Sequence, residues 1–419
     1  MNALEQPPMI LTGIDKVHVV DRVHGDPLAE RRLQRFIDAL KPREVIDIDD
    51  DGLERLVRDS GGTRGHELRT GSYHRRGPPA IIFNTFRHDD ADLAKARKAH
   101  PALDTSMLLG QGAVTTRAKL NLHGPDWCAC QAGVEFHSLY GCLHACDYCH
   151  VENYLNVMLD LEWLARVFER AVAENPGQQL YKYDNHSDTI CLEPEYGASE
   201  LFVSLFARLP GKYLLLYTKS DNVDHLLGLD HRGHTIVNWS LSPRTQSTRI
   251  EKGTPPVARR IKAMAKCQAA GYRVRARFSP IIPVAGWREE YAAMVDKLYA
   301  SAEPDVITLD VVGFMSPTQM KAALDTNLFD DRARALLDGQ ERLDRPRWGK
   351  HVFPHAYRKE LYEFVIGEIR RHRPGQVVSI CNETFEMWED MAPLLVANGD
   401  PERFTCCCGP NSVPGVHLL

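Results

Sequence analysis

Three cysteines spaced C-x3-C-x2-C are the residues in this chain best suited to chemistry. Cys142, Cys146 and Cys149 follow a strand-like run at residues 133–140. A [4Fe–4S] cluster usually takes four thiolates, so three protein thiolates leave one iron open to a small ligand. The spacing therefore predicts a reactive iron–sulfur cluster with an open coordination position.

Two other interpretations of the cysteines remain open. A structural zinc site needs a fourth ligand and usually has paired C-x2-C units; Cys128 and Cys130 could supply ligands there or bind a second metal. The chain would then be a non-catalytic iron–sulfur or zinc protein, such as a sensor or binding module. Disulfides are less favoured, because no secretory signal is recognisable and thiols in a reducing compartment more often serve metals or catalysis.

The composition is that of an ordinary globular protein. The 419 residues are 43% hydrophobic and 26% charged, with a net charge of −5 and eleven cysteines. No apolar run approaches the length of a membrane span, and the net charge gives no overall attraction to nucleic acid. We therefore expect a cytoplasmic protein with no membrane partner.

From residue 133 onward, strand-like and helix-like segments alternate. Such alternation predicts an α/β fold with βαβ units and a parallel sheet, here a partial (β/α)6 TIM-type barrel with chemistry at the C-terminal strand ends. We predict an N-terminal α/β region (1–125), the barrel core (126–315) and a C-terminal helical extension with a Cys-rich tail (316–419). The six barrel strands are predicted at residues 134–140, 179–183, 213–218, 235–241, 272–282 and 305–311. Further predicted elements are strands at 17–20, 80–85 and 377–381 and helices at 29–40, 152–173, 255–270, 357–371 and 385–395.

Several short motifs, in order along the chain, carry a family resemblance. Beyond the cysteine loop with its aromatic Tyr148, these are residues 217–224 (YTKSDNVD), 239–243 (WSLSP), 251–255 (EKGTP), 280–283 (PIIP) and 379–383 (SICNE). Together they resemble the spore photoproduct lyase-like group of radical S-adenosylmethionine enzymes, over roughly residues 130–390.

The resemblance implies the cofactors and the residues that bind them. The enzymes use a [4Fe–4S] cluster to cleave S-adenosylmethionine and release a 5′-deoxyadenosyl radical, and a flavodoxin or ferredoxin is the expected reducing partner. The cluster ligands would be the three cysteines. The residues implied to contact S-adenosylmethionine are Tyr148, Ser187, Asp188, Lys219 and Ser240.

The chain departs from the lyases at two hydrogen-donating positions. Asn185 stands where the lyases have a cysteine, and His150 stands where they have a tyrosine directly after the last cluster cysteine. The loss of both donors argues against photoproduct repair.

Polar, ionisable residues near these positions suit a radical elimination with acid–base help. The candidate catalytic residues are His150, His186, Glu193 and Glu195. We therefore predict a small hydroxyl-rich substrate, such as an aminosugar dehydrated in antibiotic biosynthesis. The alternative is a lyase of ultraviolet-damaged thymine in DNA, with DNA the less favoured partner.

The remaining cysteines allow structural interpretations. Residues 406–408 form a Cys-Cys-Cys tail that is either disordered or a source of hydrogen atoms, if it folds over the barrel mouth. Cys191 and Cys267 are expected in the core, since free cysteine buries readily, and Cys381 is expected to pack on its strand.

Overall fold

The computed structural model describes most of the chain. It covers residues 14–59, 80–103, 107–111, 114–116, 131, 133–149, 154–185, 187–313, 315–339, 351–395 and 406–414. His150, His186, Cys128 and Cys130 lie outside these ranges.

An eight-stranded sheet forms the central part of the molecule. Its strands are β4 (Val114–Thr116), β5 (Val134–Phe136), β9 (Leu180–Tyr183), β10 (Tyr213–Thr218), β11 (Thr235–Ser240), β13 (Arg273–Ile281), β14 (Val306–Val311) and β15 (Val377–Ile380). They run in the order β15-β14-β13-β11-β10-β9-β5-β4, and neighbours are parallel except at the β4–β5 edge. The six predicted barrel strands are neighbours in the predicted order, which confirms the α/β partial-barrel prediction.

A second sheet of five strands contains the N-terminal part of the chain. Its strands are β1 (Lys16–Val20), β2 (Glu44–Ile48), β3 (Ala80–Asn84), β6 (Leu139–Tyr140) and β8 (Tyr154–Met158). They run in the order β2-β1-β3-β8-β6. Since β6 and β8 lie beyond residue 125 in sequence, this sheet draws strands from the region predicted as barrel core; the domain boundaries themselves stay a prediction.

The predicted helix at 152–173 is wrong in its first part. Residues 154–158 form the fully buried strand β8, parallel to β3, and the helix begins only at Leu161. A short apolar run that is buried on both faces fits a helical spacing as well as a strand, so periodicity alone does not separate them.

Helices cover both sheets. They are α1 (Pro27–Leu40), α2 (Asp50–Asp59), α3 (Asp90–Ala99), α4 (Leu161–Glu174), α5 (Ala198–Phe206), α6 (Val257–Ala269), α7 (Trp287–Tyr299), α8 (Pro317–Ala323), α9 (Asp331–Asp338), α10 (His355–His372) and α11 (Phe385–Met391). Helix α6 begins after Pro256, and the hydroxyl of Thr254, just before it, donates to the Glu251 carbonyl. Within the described ranges, none of these helices is long and apolar enough to cross a membrane.

One continuous apolar core joins the barrel, helix α1 and part of the N-terminal sheet. Buried polar contacts reinforce this junction: the Arg32 guanidinium of α1 donates to the Tyr196 carbonyl at 2.8 Å and pairs with Glu162 of α4 at 2.8 Å. The C-terminal residues 406–414, called the tail segment below, also enter this core. The expectation of a disordered tail is therefore wrong for these residues.

Candidate active site

A cavity of about 360 Å³ lies at the C-terminal ends of the barrel strands. The cysteine loop forms one wall, and the ends of β13, β14 and β15 form the opposite wall. Active sites in barrels of parallel strands form at this end, where the loops after the strands meet. The cavity is therefore the candidate active site.

All three predicted cluster ligands line the cavity, and the loop that carries them is pinned at two points. The short strand β7 (Ala145–Cys146) pairs antiparallel with β12 (Glu251–Lys252). Gly141 adopts a left-handed φ of +96°, and a Cβ atom there would lie 1.9 Å from the Tyr154 carbonyl oxygen of β8. Only glycine permits both the conformation and this close approach to the neighbouring strand.

The cysteine geometry fits a cluster better than a single zinc ion. Sulfurs around one tetrahedral zinc, bound at about 2.3 Å, lie roughly 3.8 Å apart. Among the described residues, the three cysteine sulfurs do not gather within 4.8 Å of one another. Burial raises the pKa of Cys146 to about 12 and that of Cys142 well above its usual range, so a bound cationic group would be needed to hold them as thiolates.

Tyr148 is fixed by a buried ionic network. Its hydroxyl donates to Glu251 Oε1 at 2.6 Å, and Arg260 pairs with the other oxygen of that carboxylate at 2.7 Å. Burial alone would raise the pKa of Glu251, but the charge of Arg260, the charge of Lys219 and hydrogen bonds lower it to about 2. The Lys219 ammonium lies 5.7 Å from the centre of the Tyr148 ring, so the network orders two predicted cofactor contacts.

Asp188 is buried at the base of the same wall. Its carboxylate accepts hydrogen bonds from the Thr218 hydroxyl at 2.9 Å, the Lys219 amide at 2.7 Å and His144 Nε2 at 3.0 Å. Burial opposes ionisation, but these bonds, that of His144 foremost, keep the pKa of Asp188 below its usual value. The result is a preformed negative charge in the cavity wall, suited to an ammonium group.

Ser187 and Ser240 complete the predicted cofactor contacts, since both line the cavity. The Ser187 hydroxyl is buried and has no hydrogen-bond partner among the described residues. Buried polar groups are usually satisfied, so this hydroxyl suits a bound ligand. The structure thus brings together all five predicted cofactor contacts and the three cysteines.

The two predicted catalytic glutamates do not line the cavity. The Glu193 carboxylate accepts hydrogen bonds from the amides of Gly197 at 2.8 Å and Ser199 at 2.7 Å, at the start of α5. Glu195 is buried nearby in sequence but is also absent from the cavity wall. These carboxylates were predicted to be catalytic because they lie near the lost hydrogen donors in sequence, whereas Glu193 satisfies helix-end amides.

Sequence reasoning missed the opposite wall of the cavity. There Asp310 accepts hydrogen bonds from the Ser279 hydroxyl at 2.9 Å and the Asn382 amide at 3.0 Å, and Arg277 also lines this wall. Burial raises the pKa of Asp310 to about 6, although the charge of Arg277 and the two hydrogen bonds oppose the rise. The sequence signal that could have indicated this polar group is that its residues lie near or just after the ends of three neighbouring strands.

A family model for spore photoproduct lyase matches residues 132–379. The chain belongs to the spore photoproduct lyase family. This membership confirms the predicted radical S-adenosylmethionine family and its cofactors, a [4Fe–4S] cluster and S-adenosylmethionine.

Individual relatives in this family are distant. The spore photoproduct lyase of Bacillus subtilis is 25% identical over 231 residues, which is 52% of this chain and 66% of that protein, just under two thirds of its length. That of Clostridium acetobutylicum is 22% identical over 256 residues, or 58% of this chain and 74% of that protein. A solved spore photoproduct lyase mutant with bound AdoMet and dinucleoside spore photoproduct matches with a TM-score of 0.60 at 17% identity, covering 90% of this chain and 99% of the other. At this identity the structural match shows the shared fold.

Proposed function

We propose that this chain is a radical S-adenosylmethionine lyase that acts on a damaged pyrimidine of DNA. The observation that carries the proposal is a single cavity with the cysteine triad on one wall and a separate polar group on the other. A closed structural metal site needs no such space, so the cavity argues against the non-catalytic alternative.

In this proposal Cys142, Cys146 and Cys149 hold the cluster. S-adenosylmethionine binds to the wall that carries the five predicted cofactor contacts, called the cofactor-binding wall below: Tyr148, Ser187, Asp188, Lys219 and Ser240. Asp188 binds the methionine ammonium by charge, while the Ser187 and Ser240 hydroxyls suit carboxylate or ribose oxygens. When bound, the cluster and S-adenosylmethionine supply a 5′-deoxyadenosyl radical that removes a hydrogen atom from the substrate. A ferredoxin or flavodoxin is the proposed source of the electron.

The opposite wall suits the base of a pyrimidine. The imide edge of thymine presents two carbonyl acceptors around one N–H donor. The Asn382 amide has a second N–H besides the one it donates to Asp310, and the Ser279 hydroxyl, whose hydrogen goes to Asp310, can accept a hydrogen bond. The Asp310 carboxyl, with its pKa raised to about 6 by burial, can accept or donate near neutral pH. Such paired polar groups give specificity because a ligand lacking a partner leaves one of them unsatisfied.

The prediction of an aminosugar substrate relied on polar, ionisable residues near the two lost donor positions. Of these, Glu193 and Glu195 do not line the cavity, and His150 and His186 lie outside the described residues. The names of the relatives support a DNA lesion instead. Asn185 lines the cavity; its place as the counterpart of the lyase cysteine stays a prediction from the family resemblance.

The test is an anaerobic assay of reconstituted, reduced protein with S-adenosylmethionine and dinucleoside spore photoproduct. We expect 5′-deoxyadenosine and restored thymine from the wild type and neither product from Cys146→Ala. Cys267→Ala, in which the lost thiol lies buried on α6, is the matched control and should keep turnover. A loss of water from an added aminosugar, with no thymine restored, would reverse the choice of substrate.

A further inference from the structure

Thiols of the tail segment lie near a buried phenol at the cavity floor. Tyr217 lines the cavity at the end of β10 and is only 9% exposed. Cys406, Cys407 and Cys408 of the tail segment are all buried. The Arg277 guanidinium lies 5.4 Å from the centre of the Tyr217 ring, and its Nη2 lies 3.7 Å from Cys381 Sγ.

The tail segment reaches this place from the other end of the barrel. The Pro410 carbonyl accepts hydrogen bonds from the amides of Gln179 and Leu180, both at 2.8 Å, at the N-terminal end of β9. Arg275 of β13 donates to the Cys407 carbonyl at 2.8 Å and the Ser412 hydroxyl at 3.0 Å. The segment therefore closes the barrel opposite the cavity and inserts its cysteines toward the cavity floor.

Packing alone does not explain the phenol. Buried tyrosine hydroxyls usually find a hydrogen-bond partner, yet the Tyr217 hydroxyl has no nitrogen or oxygen partner among the described residues. Its neighbours are thiols: burial first, and then Cys408 and Cys407, raise the pKa of Tyr217 well above its usual value. A phenylalanine would fill this site without burying a hydroxyl whose neighbours are thiols, which are weak hydrogen-bond partners.

A phenol with neighbouring thiols can donate a hydrogen atom to a carbon radical. Phenolic O–H and thiol S–H bonds are weaker than aliphatic C–H bonds, so both groups give hydrogen atoms to alkyl radicals readily. Cys406 Sγ lies 3.7 Å from Cys408 Sγ, which places a second thiol beside the first. The position of the group, on the cavity floor and away from the solvent, protects a radical from side reactions.

We propose that Tyr217 and Cys408 form a hydrogen-atom relay that quenches a carbon radical in the cavity. This inference rests on the proposed radical function and deepens it. The carbon radical takes the hydrogen atom of the Tyr217 hydroxyl, so a C–H bond forms, the O–H bond breaks and a phenoxyl radical remains. The phenoxyl radical takes the hydrogen atom of the Cys408 thiol and leaves a thiyl radical. One electron from a reduced iron–sulfur or flavin donor and one proton from solvent restore the thiol.

The first experiment uses isotope content and needs no substrate. Reconstituted holoenzyme is equilibrated in D2O, reduced anaerobically and given S-adenosylmethionine alone, so that the 5′ carbon takes hydrogen from the nearest donor. Phenol and thiol hydrogens exchange with solvent, whereas carbon-bound hydrogens do not. We expect 5′-deoxyadenosine carrying one deuterium, with the deuterated fraction falling at least fivefold in Tyr217→Phe and unchanged in Cys267→Ala. In Cys408→Ala the first turnover should still give deuterated product, and its formation should then stop because the phenoxyl radical is not reduced.

The outcomes separate this inference from the proposed function. Undeuterated 5′-deoxyadenosine from the wild type, or a deuterated fraction that survives in Tyr217→Phe, would overturn the relay and leave the radical function standing. No 5′-deoxyadenosine at all would contradict the proposed function. Tyr217→Phe keeps the ring and the packing, so it remains informative even if Cys408→Ala fails to fold.

A second experiment tests the geometry without any activity. Cluster-free Tyr217→Ala protein is treated with iodoacetamide, and the alkylated cysteines are identified by peptide mass spectrometry. Removing the Tyr217 ring should open the cavity floor, so iodoacetamide should alkylate Cys408 at least tenfold faster than in the wild type. S-adenosylhomocysteine, which should fill the cavity, should slow this alkylation. If Cys408 stays as unreactive as in the wild type, the thiol does not lie behind Tyr217 and the relay is wrong.

Discussion

At the scale of single residues, Asp188 joins most of the contacts on the cofactor-binding wall. Its oxygens accept bonds from Thr218, Lys219 and His144, and these keep it ionised despite burial. An ionised carboxylate held in a dry wall costs little reorganisation when a cation arrives, which is the basis of preorganised binding.

We predict that Asp188→Asn weakens cofactor binding. The change keeps the shape but removes the charge, and loss of a charged hydrogen-bond partner costs about 1.5–3 kcal/mol, so Kd for S-adenosylmethionine should rise by about tenfold or more. Calorimetry on anaerobically reconstituted protein gives the value. Asp230→Asn, at an exposed surface aspartate, is the control, and an equal Kd in wild type and Asp188→Asn would remove Asp188 from the cofactor site.

A second residue-scale prediction concerns His137, which is buried between Glu135 and Asp184 at 3.5 Å from each. Burial alone would lower its pKa, but the two carboxylates raise it to about 9. Because the folded-state pKa is raised, the stabilisation is complete below about pH 6.5 and is lost as pH rises through about 9. We expect the free energy of unfolding to fall by on the order of 2 kcal/mol over that window.

Urea unfolding at several pH values checks this prediction. His137→Gln removes the titrating group, so its stability should change less than that of the wild type between pH 6.5 and 9. His231→Gln is a control histidine that stacks on Tyr272 away from any carboxylate contact among the described residues. Equal pH dependence in the wild type and His137→Gln would show that another group carries the effect.

At the scale of elements, the cysteine loop depends on how closely it approaches strand β8. A Cβ atom at Gly141 would lie 1.9 Å from the Tyr154 carbonyl oxygen, a distance that no side-chain adjustment relieves. The loop is thus held by a strand of the N-terminal sheet on one side and by the β7–β12 pair on the other. Two separate sheets therefore position the three cysteines.

We predict that Gly141→Ala displaces the loop and lowers cluster occupancy. Iron and sulfide content after reconstitution should fall by more than half, together with a lower Tm. Gly211→Ala is the matched control, because Gly211 also has a left-handed φ, +69°, but nothing within 4 Å of its would-be Cβ. If both variants bind iron and sulfide like the wild type, the close approach does not position the loop.

At the scale of the whole molecule, the barrel is open at one end to the cavity and filled at the other by the tail segment. Arg275 holds the segment through the Cys407 carbonyl and pairs with Asp305 at 2.9 Å. This guanidinium is 1% exposed. Removing one partner of such a pair leaves the other partner without its counter-charge. The resulting loss of stability is larger than the net stabilisation that the intact pair provides.

We predict that Arg275→Leu destabilises the fold by about 3 kcal/mol. Arg273→Leu, at an exposed position two residues earlier on β13, should change stability by less than about 0.5 kcal/mol. Chemical denaturation measures both. The same stability in the two variants would mean that the tail segment does not depend on Arg275.

Local and consecutive features of the sequence determined much of this protein. The cysteine triad could be predicted from its spacing because the three ligands lie within one loop. The six buried strands could be predicted because successive βαβ units depend on near neighbours in the chain. Lys219 and Ser240 were predicted from the family resemblance of the short motifs that contain them, and both motifs lie at strand ends, which meet at one end of a parallel barrel.

Only the tertiary structure decided the features that join distant segments. Strand β8 belongs to the N-terminal sheet because its partner is β3, some 70 residues earlier; its own apolar pattern fits a helix equally well. Glu193 bonds helix amides, Asp310 and Asn382 meet across neighbouring strands, and the tail segment enters the barrel beneath Tyr217. Each depends on long-range packing, in which burial and hydrogen-bond satisfaction are decided by residues far away in the sequence.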